Sequence, residues 1–511
     1  MTMQRVGLGV MTCLAMVACG GTTTPMSTPV TAPLPTPSPA PAPARIGPSP
    51  ATTPTATQRL VDSLVALPQF SNAHWGVLIV APDRRDTLAS VRADQLVMPA
   101  SNMKIITAAV GLTQLGPEFS WRTTFTRTGP IVRGVVRGDV VVEGRGDPSI
   151  SSAMRGDPMT AFGPLVEALR AAGVRRIAGR IRSSDAAAFP GSPLGFGWDW
   201  DDLDAPYGAG VTELMFNEAF TDVHVVGCAA SGRAACVTTT PLGTSPVIHS
   251  QVVVRAAGSG APQLTWWRDS AAVPGITIRG SIARGDSTSF EAAHPDDRNT
   301  YLAAVTEALR RGGITVGGGR VVSGAADTVV VLRSPPLRDV VGAMMKPSQN
   351  QVAEALFRTI ALERSGAGLP DSARALVERQ LADWGVRSDA FAIRDGSGLS
   401  RHDYLTPHAV AQVLDVMRRG PTFSAFYEAL PIAGLDGTLR NRMRGFAQGR
   451  VRAKTGTIDK ARALSGYVTT ADGEMLIFSI IANNFSVSNR EIDRATEQIV
   501  EHLVNMRRSA P

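Results

Sequence analysis

Lysine is nearly absent from this chain of 511 residues. Of its 51 basic residues only Lys104, Lys346, Lys454 and Lys460 are lysine, and the other 47 (51 minus 4) are arginine. A GC-rich codon bias exchanges Lys for Arg wherever charge alone is needed. A surviving Lys therefore marks either chance or a place that needs an amine able to shed its proton, which a guanidinium cannot do. Aromatic residues are also scarce, at 5%, and no basic run exceeds a few residues. The net charge of +7 then reads as solvated surface, and nucleic-acid binding is set aside. The seven His are scattered, with no His-Glu-x-x-His pair and no Cys/His cluster of metal-binding type, so neither a metal nor a cofactor is expected. No apolar run is long enough to span a membrane.

What is present at the N-terminus reads as an export signal. Arg5 supplies a positive charge and Val6 to Ala18 an apolar stretch of signal-peptide length. The sequence Leu14-Ala15-Met16-Val17-Ala18-Cys19-Gly20 resembles a bacterial lipoprotein cleavage site, with Met16 where Leu is usual. Cys19 is the candidate lipid carrier, which would anchor an exported, periplasmic body to the membrane. Residues 1–19 are thus assigned to the signal and 20–57, dominated by Pro, Thr, Ala and Ser, to an extended tether. Besides Cys13 and Cys19 only Cys228 and Cys236 remain. They flank a Ser231-Gly232 turn, and an oxidising compartment allows them to close a disulfide, the alternative being two free thiols.

The body is long enough for two to four domains of about 150 residues. Its start reads as a short helix over Arg59 to Leu67, a hairpin over Trp75 to Val80 and Thr87 to Val91, and a helix from Ser101 to Leu112. The middle is rich in short Val/Thr/Ile segments and turns, with helices at Met159 to Ala172 and Tyr301 to Arg311. After Leu337 helical spacing takes over at 352–365, 371–384, 407–418 and 423–430. The end reads β-β-α: strands at 464–470 and 475–482 around Asp472-Gly473, then a helix from Arg490 to Met506.

Three short motifs stand in order: Ser101-Asn102-Met103-Lys104, Ser348-Gln349-Asn350 and Lys454-Thr455-Gly456-Thr457. Ser101 and Lys104, three apart on a helix, share a face. A hydroxyl is a weak nucleophile until a base takes its proton, and Lys104 is that base if burial and neighbouring cations lower its pKa. Ser348 can relay a proton and Asn350 can hold a substrate carbonyl. Lys454 and Thr455 suit a substrate carboxylate, and Gly456 on an edge strand admits a close substrate backbone. The backbone N–H groups of Ser101 and Thr457 would make the oxyanion hole. Each motif alone is common: a capped helix with a solvated Lys, a polar helix start, a turn. Their conjunction is not. Four Lys dealt among 51 basic positions fill both required places about once in two hundred.

In these motifs the chain resembles the class C low-molecular-mass penicillin-binding proteins, the D-alanyl-D-alanine carboxypeptidase/endopeptidases. The resemblance runs from about Ser63 to Val500 and includes Pro99-Ala100, Gly146-Asp147-Pro148, Gly197-Trp198-Asp199-Trp200-Asp201-Asp202, the segment from Asp395 to Arg401 and that from Gly434 to Leu439. It implies a serine β-lactamase/transpeptidase-like αβα sandwich, an α/β fold interrupted by inserted β-rich domains. The catalytic domain would comprise 58–120 and 323–511, one insert 121–197 and 299–322, and a further insert 198–298. The gap from Ser101 to Ser348, 348 minus 101 or 247 residues, leaves room for such inserts that a β-lactamase lacks. By resemblance Ser101, Lys104, Ser348, Asn350 and Lys454 are catalytic, and Thr455, Gly456 and Thr457 bind substrate. The expected partners are peptidoglycan stem peptides, with β-lactams as inhibitors. Gln349 departs from the Asp common at that place and is expected to do no chemistry. The rival functions are a β-lactamase or transpeptidase using the same site, or a non-catalytic wall-binding lipoprotein.

Overall fold

The computed structural model describes residues 54–242, 246–268, 275–321 and 326–508. The signal with Cys19, and the tether as far as residue 53, lie outside them. The first helix, α1 (Ala56–Val65), starts three residues before the expected Arg59, inside the stretch assigned to the tether. The cause is Thr55, whose side chain accepts from the Gln58 amide and caps the helix.

Five strands form the central sheet: β1 (His74–Ala81), β2 (Asp86–Val91), β3 (Val451–Ile458), β4 (Ala461–Thr469) and β5 (Met475–Asn483). Their order is β3-β4-β5-β1-β2, every pair antiparallel. β1, β4 and β5 are buried almost throughout because helices cover both faces of the sheet. The other helices of this layered body are α2 (Met103–Leu115), α3 (Leu337–Met345), α4 (Asn350–Ser365), α5 (Pro370–Asp383), α6 (Pro407–Arg419), α7 (Phe423–Ala429) and α8 (Asn489–Asn505). Side chains alternate along a strand, so Trp75, Val77 and Ile79 of β1 pack with Val61 of α1 and Ile499 of α8. Leu78 and Val80 face the opposite layer, with Ile106 of α2, Leu356 of α4 and Val410 of α6. The result is an αβα sandwich with chain from both ends of the sequence in one sheet.

Between α2 and α3 the chain builds four smaller sheets. One couples Asp327–Arg333 to Arg122–Arg127, then Val140–Glu143 and Ile181–Ser183. Another joins the short strands Thr315–Val316, Arg176–Ile177, Val135–Val136 and Ile131–Val132. Phe125, Phe162, Phe216 and Tyr301 fill their shared core. The expected helix over 159–172 divides here: a single 3-10 turn, Pro158–Phe162, precedes an α-helix at Gly163–Ala171. Pro164, lacking an amide proton, fits only its first turn. Two three-stranded sheets lie beyond, one around Phe220–Val226 and one around Ile276–Ala283, packed through Val223, Val225, Val252 and Ile278. Cys228 and Cys236 are joined there, with an S–S distance of 2.02 Å.

Candidate active site

Ser101 does not open the α-helix directly. It sits in a 3-10 turn, Ala100–Asn102, that feeds α2 at Met103. In a 3-10 turn residues i and i+3 eclipse one another, so Lys104 still lies beneath Ser101. Lys104 is fully buried and its Nζ has three partners: Ser101 Oγ at 2.9 Å, Asn350 Oδ1 at 2.6 Å and the Ser397 carbonyl at 2.8 Å. The amide oxygen and the carbonyl can only accept, so they fix two N–H bonds. Once the amine is neutral, its lone pair is left for the Ser101 hydroxyl. Burial pulls Lys104 down to about 7, against the charges of Asp395, Glu354 and Asp403.

Glu354 and Asp403 carry no sequence signal, and Asp395 carries only the resemblance of its segment. Asp395 accepts from the amides of Ser397, Gly398 and Ser400 and from Trp198 Nε1. Glu354 accepts from the Gly396 and Ser397 amides at 2.9 and 2.7 Å, and Asp403 from that of Arg394. Burial, then the charge of Asp395, lifts Glu354 to about 8 and Asp403 well above the usual carboxylate range. Burial, with the charge of Asp395, favours the neutral forms of Glu354 and Asp403 and so weakens their pull on Lys104. Only the segment from Asp395 to Arg401, noted as a resemblance, signalled this cluster. Nothing in its spacing marked the acids as buried under the amine.

The second motif stands at the entrance to α4. Ser348 has φ +70°, in the left-handed region that a serine rarely adopts, and Asn350 is the first helical residue. Ser348 Oγ receives a hydrogen bond from Lys454 Nζ at 2.7 Å. Lys454 is itself fully buried on β3, and burial followed by the charge of Lys104 holds it well below the ordinary lysine range. Chain from the inserts reaches in to brace this motif. Asn350 Nδ2 donates to the Tyr207 carbonyl, Gln351 Nε2 to those of Pro206 and Ala209, and Gln349 Nε2 to Glu218. Gln349 thus has a structural partner that the sequence did not reveal.

β3 is an edge strand of the sheet. Near its start the amide of Ala453 and the carbonyl of Val451 bond to residues 431 and 433, away from β4. Backbone direction alternates along an antiparallel strand, so Thr455 and Thr457 also turn their backbone groups toward the open edge. Thr455 Oγ1 donates to Thr438 Oγ1 at 2.7 Å. Thr438 belongs to the Gly434–Leu439 segment, another residue whose place in the site the sequence left unassigned. A Cβ on Gly456 would meet the Pro99 carbonyl at 2.6 Å, so glycine is what lets β3 touch the turn that carries Ser101. Thr457 Oγ1 is exposed and takes a hydrogen bond from Arg462. The other two lysines are elsewhere. Lys346 pins the Leu430 carbonyl and Asp436, and Lys460 is exposed in the turn between β3 and β4. The Cys228–Cys236 disulfide lies in the chain between α2 and α3 and takes no part in these hydrogen bonds.

Gly398 closes the floor. Its φ is +80°, and a Cβ there would lie 1.9 Å from the Ala100 carbonyl. Gly398→Ala is expected to lose at least about 2 kcal/mol, from the left-handed conformation and the displaced turn together. Thermal unfolding measures that loss. An unchanged unfolding temperature would show that the loop has room to move.

An amine poised near neutrality against a serine hydroxyl, a second lysine-bound hydroxyl and an open strand edge can carry out acyl transfer. Among the described residues no group of three or more His, Cys, Asp or Glu side chains is arranged to hold a metal.

Comparison with known proteins agrees in kind. Residues 57–506 match the family described as D-Ala-D-Ala carboxypeptidase 3 (S13). The chain is 33% identical over 468 residues to the D-alanyl-D-alanine carboxypeptidase of Actinomadura sp. (strain R39), covering 86% of this chain and 84% of that one. It is 26% identical to the D-alanyl-D-alanine carboxypeptidase DacB of Haemophilus influenzae, covering 86% and 91%. The crystal structure of penicillin binding protein 4 from that organism superposes with a TM-score of 0.74 at 24% identity, covering 87% of this chain and 99% of the other.

Proposed function

The chain belongs to the D-Ala-D-Ala carboxypeptidase 3 (S13) family, and on that premise we propose that its serine chemistry runs through Ser101, with Lys104 as base. The protein is an exported serine peptidase of the D-Ala-D-Ala bond in peptidoglycan stem peptides, and a penicillin-binding protein. The observation that carries the residue assignment is the three-way coordination of a fully buried Lys104, with Ser101 Oγ as its one partner that can give up a proton.

The steps join the Ser101–Lys104 hydrogen bond to the roles expected of Ser348, Asn350, Lys454 and Thr455. Neutral Lys104 takes the Ser101 proton as Oγ bonds to the carbonyl carbon of the penultimate D-Ala. The carbonyl electrons move onto oxygen, which the backbone N–H groups of Ser101 and Thr457 receive. Lys454 and Thr455 hold the terminal carboxylate, and Asn350 orients the donor chain. When the tetrahedral centre collapses, the C–N bond breaks and its electron pair stays on nitrogen. The leaving nitrogen takes the proton that Lys104 accepted, with the Ser348 hydroxyl leaving its Lys454 partner to relay it, and D-Ala departs. Water then attacks the Ser101 ester and gives its proton to Lys104, which returns it to Ser101 Oγ. A β-lactam acylates the same oxygen, but its leaving nitrogen stays tethered and obstructs water, so the adduct persists. Cross-linked stems offer the same bond chemistry, and endopeptidase action on them belongs to this reading.

Two further assignments complete it. Residues 121–333 are the inserts and 58–120 with 334–508 the catalytic body. The pairing of Asp327–Arg333 with Arg122–Arg127 supports carrying the inserts past the expected 322 to about 333. Cys19 carries a lipid that holds the body at a membrane. Benzylpenicillin is the direct test. The body from Thr55 onward is expected to gain the mass of one penicillin, stable over minutes, in intact-mass spectrometry, and to release D-Ala from a stem pentapeptide. Rapid turnover of the penicillin, with no adduct, would instead make it a β-lactamase.

A further inference from the structure

A cavity of about 590 Å³ lies between the segment at Ser192 to Phe196 and helices α4 and α5. Its size falls in the range that takes a small ligand. Leu194, Phe196 and Phe357 supply apolar wall, and three arginines point charge at it. Arg358 is already used: its guanidinium donates to the carbonyls of Gly368, Ser192, Val211 and Pro190, and so holds the wall together. Arg394 differs. Its guanidinium is exposed, stands over the Phe196 ring at 5.8 Å, and has no carboxylate partner among the described residues. Arg374 pairs only with Asp371, whose side chain is 87% exposed, a pair that water and other anions readily exchange. The cavity thus has two available guanidiniums above an apolar floor.

We propose that this cavity binds a short peptide by its free C-terminal carboxylate, held by Arg394 and Arg374, with the preceding side chain against Phe196, Leu194 and Phe357. Guanidiniums favour carboxylates through paired, charge-assisted hydrogen bonds, and Phe196 fixes the plane of Arg394. A free amino acid offers the same carboxylate but leaves most of the volume empty. Glu354 also lines the cavity. It grips the amides of Gly396 and Ser397, and the Ser397 carbonyl is a partner of Lys104 Nζ. One buried carboxyl therefore touches both the cavity and the loop that positions the base. A ligand that shifts Glu354 therefore reaches the base through the loop at Gly396 and Ser397.

The test uses acetyl-Leu-Gly, which contains no D-Ala-D-Ala bond, with its C-terminal amide and free D-alanine as controls. Titration calorimetry on the wild-type protein is expected to show saturable binding of acetyl-Leu-Gly. The affinity is expected to fall about tenfold in Arg394→Gln, in Arg374→Gln and with the amide. Both variants should unfold at the wild-type temperature, since neither side chain is buried. No binding, or binding indifferent to the carboxylate and to both arginines, overturns the site. Tighter binding of D-alanine than of the dipeptide overturns the peptide assignment. At saturating dipeptide the benzylpenicillin acylation rate is expected to change at least about twofold, and an unchanged rate overturns the link to Lys104. This last readout rests on the acyl-serine reading above. The calorimetry does not, so the two can fail separately.

Discussion

Ser101→Ala is expected to form no covalent benzylpenicillin adduct and to release D-Ala at least about ten-thousand-fold more slowly than the wild type. The size of the loss follows from how little else in the site can substitute. Ser348 is an alternative hydroxyl among the motifs, but its Oγ is engaged by Lys454 rather than by Lys104. Ser397 is buried, and it is its carbonyl that meets the amine. Thr455 is tied to Thr438. Among the described residues no other hydroxyl is hydrogen-bonded to the Lys104 amine. Ser101 is only partly buried and its loss removes one hydrogen bond, so the variant should fold and keep its unfolding temperature within a few degrees, about the shift of one such bond. Intact mass after incubation with benzylpenicillin decides the matter. An adduct on the Ala variant would place the nucleophile elsewhere.

The second large effect concerns pH. Lys104 has its proton affinity lowered to about 7, chiefly by burial. The protonated amine cannot accept the serine proton, so the sign is fixed: below about pH 7 the reactive fraction falls tenfold per pH unit, and above it the amine is mostly neutral. Acylation by benzylpenicillin, followed by stopped-flow quenching across pH 5 to 9, should rise with pH and level off above about 7. Lys104→Arg keeps a cation but supplies no base, and should lose about a hundred- to ten-thousand-fold together with the inflection. Lys104→Met, which removes charge and base while staying slim enough for the same buried channel, guards against the bulk of arginine. If either variant acylated at the wild-type rate, Lys104 would be structural. A rate that fell with rising pH would equally exclude it as base.

Much of this was legible in the chain because its signals were local. The closing strands β4 and β5 are short apolar runs that flank Asp472-Gly473, a hairpin turn signal, and Gly473 has φ +88°. The helices after Leu337 announce themselves by spacing. The shortage of lysine singled out Lys104 and Lys454, because an amine buried next to another amine cannot be exchanged for arginine without carrying a permanent charge into the core. Other features depend on pairing across long stretches, which no local pattern records. Residue numbering alone does not say that Glu354, Asp395 and Asp403 would meet beneath Lys104. The same holds for the Tyr207 carbonyl, which reaches Asn350 from an insert, and for Glu218 against Gln349. The early start of α1 shows the opposite failure: a Thr-rich stretch read as tether contained the residue that caps a helix.

The edge strand that completes the site also sets when the site can exist. Ser101 and Lys104 come early in the chain, whereas Lys454 follows Ser101 by 454 minus 101, or 353 residues, and joins them only through pairing of β3 with β4. A chain synthesised from its N-terminus therefore holds its serine long before the second lysine, the strand edge and the Thr457 amide arrive. Contacts of such sequence separation are late events in folding. Reactivity is consequently withheld until the last hundred residues are in place, and a truncated or stalled chain has the serine but no means of using it.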